Sequence, residues 1–81
     1  YLDADAQVIG HLPGKGRHAR RLGALLVAAP DGRRFRIGGG FSDAQRNLPP
    51  PIGSTVIYRY QGLTRHGLPR FPVFLRLREG L

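Results

Sequence analysis

Apolar residues come in short runs along this chain, and glycine or proline separates one run from the next. Ala6 to Leu12 (AQVIGHL) reads as a first strand. Gly23 to Ala29 (GALLVAA) is an unbroken apolar run, the pattern of a strand buried on both faces. Pro30-Asp31-Gly32 then predicts a turn, because Pro presets φ, Asp bonds its own backbone and Gly accepts positive φ. In "RRFRIG" Phe35 and Ile37 fall on one face, and Arg34 and Arg36 on the other. "STVIYRYQGLT" supplies a fourth strand, "RHGLP" a turn, and residues 72–78 a fifth. Within that last strand Val73, Leu75 and Leu77 alternate with Phe74, Arg76 and Arg78, which predicts the first set inside and the second outside.

One segment breaks the strand rhythm. "GGGFSDAQRNLPPP" opens with glycines, closes with prolines and predicts one short helix between them. Ser42 and Gln45 have the spacing of a capping box, and Asp43 sits where the helix dipole favours negative charge. Pro49 to Pro51 end the helix by about Leu48. Five strands with a short helix between the third and fourth predict an all-β fold, the five-stranded OB-fold Greek-key barrel. A five-stranded barrel of the SH3 type has no helix at that place.

Composition sharpens this picture through charge. Thirteen Lys and Arg stand against five Asp and Glu, a net charge of +8. All but Lys15 of the thirteen are arginine, the residue whose planar fork suits phosphate and stacks on bases. A genome rich in G and C explains arginine over lysine, but not the scarcity of acids. The balance points to nucleic acid as partner. With 81 residues the chain has room for one domain, and no apolar run is long enough to span a bilayer. It starts at Tyr1 and holds no methionine, so residues 1–81 are expected to be one domain of a longer polypeptide. Without cysteine there is no disulfide, thiol nucleophile or cysteine zinc site.

Catalytic chemistry is poorly represented. The only serines are Ser42 and Ser54, and Ser42 is already assigned to the helix cap. His11, His18 and His66 have no metal-ligand spacing and read as solvated loop residues. Asp3 and Asp5 read as solubilising charges at a frayed chain start. "GHLPGKG" falls one residue short of a P-loop and no Ser or Thr follows Lys15, which leaves at most a backbone nest touching a phosphate. The basic residues are more coherent. Lys15, Arg17, Arg20 and Arg21 crowd one loop, while Arg34, Arg36, Arg59, Arg76 and Arg78 fall on strands, and on a barrel their outward faces are expected to merge into one patch for phosphate backbone. Tyr58, Tyr60 and Phe74 are candidates for stacking on bases, with the sheet core as the preferred place for the tyrosines.

Three stretches, "FRIGGGFSDAQR", "PPPIGSTVIYRYQGLT" and "GLPRFPVFLRLR", together resemble the C-terminal OB-fold domain of ATP-dependent DNA ligases, in particular the minimal bacterial type. "GGGFSD" resembles the family's Gly-x-Gly-Phe-Ser-Asp loop, and "RFPVFLRLR" resembles its last nucleotidyltransferase motif. The likeness runs from about Ala6 to Arg78.

The resemblance implies a division of labour. A separate nucleotidyltransferase domain carries the Lys-x-Asp-Gly lysine that takes AMP from ATP and passes it to a nick. That motif is absent here, so this chain is expected to be inactive alone. ATP and Mg2+ would serve the full-length enzyme and not bind this domain by itself. The domain would grip nicked duplex DNA in one orientation and close over ATP in another, with Arg70 and Arg78 assisting adenylation. Phe71 would enter the minor groove, and Arg76 matches an arginine of some relatives. Relatives continue past Arg78 with an acidic and a basic residue; here Glu79-Gly80-Leu81 follow, and no pyrophosphate-orienting role is assigned to Glu79. The expected setting is a monomeric enzyme of the bacterial cytoplasm or nucleoid that seals nicks in repair, with export left open. Its partners would be nicked DNA and the nucleotidyltransferase domain, with no membrane. A stand-alone OB module for single-stranded DNA or RNA is the alternative. Two arguments about Phe71 conflict: a residue before proline is extended and strict alternation would bury it beside Val73, yet a proline at a strand's first residue lets the register restart.

Overall fold

In the computed structural model, residues 1–78 are described. Five strands form one antiparallel sheet: β1 (Leu2–Pro13), β2 (Leu22–Ala28), β3 (Arg34–Ile37), β4 (Thr55–Tyr60) and β5 (Val73–Leu77), in the order β3-β2-β1-β4-β5. The two edges meet where Gly39 bridges Val73 in parallel and the Phe74 amide donates to the Gly39 carbonyl at 2.9 Å. This is the closed OB barrel that the strand and helix pattern predicted. The short helix α1 (Asp43–Asn47) lies between β3 and β4 as expected.

Local signals in the sequence are met closely. The Ser42 hydroxyl accepts from the Gln45 amide at 3.1 Å, and the Gln45 side chain accepts from the Ser42 amide at 2.9 Å. At the turn after β2, the Gly32 amide donates to the Ala29 carbonyl, Gly32 has φ +90°, and Asp31 accepts from the Arg33 amide at 3.0 Å. The first strand begins at Leu2, well before Ala6, because residues 2–7 pair continuously with β4.

The core is built from alternate residues of every strand: Ala6 and Val8, Leu25 and Val27, Phe35 and Ile37, Val56 and Tyr58, and Phe74. β2 is not sealed on both faces; Leu25 and Val27 are buried while Ala24, Leu26 and Ala28 are half-covered on the outside.

β5 departs from its predicted phase. Phe74 is buried, stacked on Phe41 with centroids 4.8 Å apart, while Val73 and Leu77 are exposed and Leu75 only half-buried. Pairing gives the reason: Tyr58 lies opposite Phe74 and Ile57 opposite Arg76, so Leu75 is an extra residue that interrupts alternation. Phe74 therefore does not stack on bases, and Tyr58, edge-on to Phe35, lies in the core where it was preferred.

Candidate nucleic-acid interface

Among the described residues, every acid is held by an arginine. Asp3 accepts from Arg59 at 2.9 Å, Asp31 faces Arg33 at 3.2 Å and Asp43 faces Arg21 at 3.4 Å, and Asp5 binds Arg78. Asp3 and Asp5 are therefore not frayed. They stand on β1 among Arg59, Arg76 and Arg78, and the hydrogen bond from Arg59 holds the Asp3 carboxyl below its ordinary pKa while raising that of Arg59.

On β3 the balance is different. Arg34 lies opposite Ala28 and Arg36 opposite Leu26, on the outer face, and neither has an acidic partner among the described residues. At one end of this strand the Arg33 guanidinium donates to the Gly67 carbonyl at 2.7 Å, bringing residues 61–70 alongside. At the other end Arg46 donates to the carbonyls of Leu22, Gly23 and Gly38, at 2.8, 3.2 and 3.3 Å. Together with the Arg21–Asp43 pair, this fastens α1 and the β1–β2 loop beside the start of β2. Lys15, Arg17 and Arg20 are exposed on that loop. The cations thus follow one course from Arg70 past Arg34 and Arg36 to the loop. Arg59 on β4 and Arg78 after β5 differ from these, since each is paired with an aspartate of β1.

Residues 61–70 form a small arm. The Gln61 amide donates to the Arg70 carbonyl, the Arg70 amide to Gly62, the Thr64 amide to Leu68 and the Gly67 amide to Thr64. Phe71 follows with φ +49°, in the left-handed region rather than extended, and 70% exposed. A bulky residue there is strained by about 1–3 kcal/mol, and strain of this kind clusters at ligand-contacting sites. Val73 is itself exposed, so even a Phe71 on its side of the strand would not be buried.

A family model described as DNA ligase OB-like domain matches residues 13–78. The chain belongs to that family. A DNA ligase of Haemophilus influenzae is 43% identical over 72 residues, which cover 89% of this chain and 26% of the relative. Among solved structures, a Lig E DNA ligase studied for DNA binding with a minimal scaffold has a TM-score of 0.93 at 45% identity, covering 95% of this chain and 30% of the other. The Chlorella virus DNA ligase-adenylate gives 0.82 at 31% identity, covering 99% and 31%. This ligase OB domain therefore spans well under half of each relative's length.

The two family stretches now have distinct physical roles. In "GGGFSD" the glycines close the ligase OB domain's barrel, Phe41 packs on Phe74, and Ser42 caps α1. In "RFPVFLRLR" Arg70 and Phe71 project, Phe74 is core, Arg76 lies on the outer face of β5 and Arg78 is tied to Asp5. Glu79 lies outside the described residues. Sequence reading missed Arg33 and Arg46, both of which bind backbone carbonyls far along the chain, a role with no local signature.

His66 is an exposed turn residue as expected, but His11 and His18 are more engaged than solvated loop residues. His11 stands on β1 with its Nε2 2.6 Å from the Pro50 carbonyl oxygen. His18 packs in the basic loop with its Nδ1 buried and unpartnered. Burial first, then Arg46, Arg17 and Arg21, push its pKa down. Among the described residues no three His, Cys, Asp or Glu gather as metal ligands.

Proposed function

We propose that this domain is the DNA-gripping and switching module of an ATP-dependent DNA ligase that seals nicks. The carrying observation is the union of an exposed, strained Phe71 with a cationic course along β3 whose arginines lack acidic partners. In OB-folds the β2–β3 face and the loops after β1 and β4 are the usual ligand surface, and here those elements carry Lys15, Arg17, Arg20, Arg34, Arg36, Arg70 and Phe71. The arginines would bind phosphates and set position, and Phe71 would lie in the minor groove as an apolar wedge. Arg59 and Arg78 would be used only when Asp3 and Asp5 release them, while Arg76 has no acidic partner among the described residues. ATP and Mg2+ would be handled by a nucleotidyltransferase domain, with Arg70 and Arg78 approaching ATP in the closed orientation.

Binding of nicked duplex, intact duplex and single strands over a salt series tests this reading. Duplex binding at least as tight as single-strand binding is expected. Its log–log salt slope should be about −4.5 to −5.4 if five or six phosphates are neutralised. Phe71→Ala should weaken duplex binding roughly tenfold, about 1.4 kcal/mol, and leave the melting temperature nearly unchanged. A tenfold preference for single strands would instead favour a stand-alone single-strand binder.

A further inference from the structure

We propose that Arg33 is a positioning residue for the arm at residues 61–70, and through it for Arg70 and Phe71. The inference rests on the reading of this surface as the DNA interface. Four backbone hydrogen bonds hold the arm to itself: Gln61 to Arg70, Arg70 to Gly62, Thr64 to Leu68 and Gly67 to Thr64. The Thr64 hydroxyl adds bonds from the His66 and Leu68 amides at 3.3 and 3.2 Å. All of these stay within the arm and fix its shape; against the barrel the arm rests on half-buried Leu68, which packs on the core but makes no directional bond there. Among the described residues, the side-chain hydrogen bond that crosses from the barrel to the arm's tip is Arg33 Nη1 to the Gly67 carbonyl, at 2.7 Å.

Arg33 is itself held from the opposite side. Asp31 accepts from its backbone amide at 3.0 Å and pairs with its Nε at 3.2 Å, so the guanidinium is aimed before it reaches Gly67. Gly67 has φ +78°, and a Cβ there would stand 2.7 Å from the Arg33 Cζ and closer still to Nη1. Glycine thus leaves space for the guanidinium to lie against the arm's backbone. An arginine whose fork is occupied by Asp31 and a carbonyl is poorly free to grip phosphate. Its contribution is to hold the arm beside Arg34, so that Arg34, Arg70 and Phe71 meet one duplex without prior ordering.

A positioning residue and a phosphate contact respond differently to substitution. Arg33→Ala should weaken nicked-duplex binding about tenfold, and adding Phe71→Ala should cost less than about threefold more, since contacts that act through one another are not additive. Asp31→Asn keeps the turn's acceptor and raises the net charge, yet should also weaken binding. Fully additive losses, or tighter binding by Asp31→Asn, would show that Arg33 works by charge and overturn the proposal. Should Phe71→Ala alone leave duplex affinity unchanged, the DNA reading of the arm fails, and hydrogen exchange still decides on positioning. Faster exchange in Arg33→Ala confined to the Gly67 and Arg70 amides supports it, and unchanged protection there refutes it.

Discussion

Gly40 is where the barrel's closure is most exposed to test. It has φ +90°, and a Cβ there would stand 2.8 Å from the Phe74 amide nitrogen and nearer to the Phe74 carbonyl oxygen. Both atoms belong to backbone inside β5, so neither can swing aside. Gly40→Ala forces an L-residue into a conformation that costs about 1–3 kcal/mol. It also threatens the Phe74-to-Gly39 hydrogen bond at 2.9 Å that joins the sheet edges, worth about 1 kcal/mol. The unfolded chain loses freedom when glycine is replaced, which returns about 0.4–1 kcal/mol. The net loss is therefore about 2–3 kcal/mol. In urea, where a small domain has an m-value near 1 kcal/mol/M, the midpoint should fall by roughly 2 M. Gly38→Ala is the matched control, since its Cβ would meet only the Ala24 Cβ at 4.0 Å and its φ is not positive. Equal midpoints for the two variants would refute the steric account of closure.

Phe74→Ala should cost about 3–4 kcal/mol in the same assay and Val73→Ala under about 1 kcal/mol; the reverse order would restore the alternation read from sequence. Ser42→Ala should cost about 1 kcal/mol through loss of the capping box. Arg46→Ala should cost about 2 kcal/mol, as three carbonyls lose a charged donor, and should raise exchange of α1 amides. His18 has a folded pKa below its unfolded value, so the unfolded chain takes up the proton first as pH falls. Stability owed to neutral His18 is complete above about pH 6.5 and is lost below it, so urea midpoints measured from pH 7.5 to 5.5 should decline less steeply in His18→Asn.

What the sequence reveals depends on how far each signal reaches. The capping box of Ser42 and Gln45 and the turn at Asp31 and Gly32 were legible because every partner lies within four residues. Phe35 and Ile37 were legible because β3 has no irregularity. The phase of β5 was not: Phe71 turns through positive φ, Pro72 offers no amide, and Leu75 is an extra residue, so alternation is interrupted once before Val73 and once after it. Nor could Arg46 be distinguished from the other arginines, since its acceptors lie 8 to 24 residues away.

The same limit applies to charge, where it bears most on function. Read along the chain, Arg34, Arg36, Arg59, Arg76 and Arg78 are equivalent outward cations. Folding separates them, because β1 brings Asp3 opposite Arg59 and Asp5 within reach of Arg78, partners 56 and 73 residues apart. An exposed ion pair of this kind adds little stability, because solvent screens it. Its larger effect is to withdraw the charge of Arg59 and Arg78 and leave Arg34, Arg36 and Arg76 as the strand arginines without an acidic partner among the described residues. Asp3→Asn with Asp5→Asn should thus change stability little, yet tighten non-specific duplex binding and steepen its salt slope toward two further phosphates, about −0.9 each. An unchanged slope in that double variant would mean that Arg59 and Arg78 take no part in DNA contact even when released, and would confine the interface to β3, the basic loop and the arm.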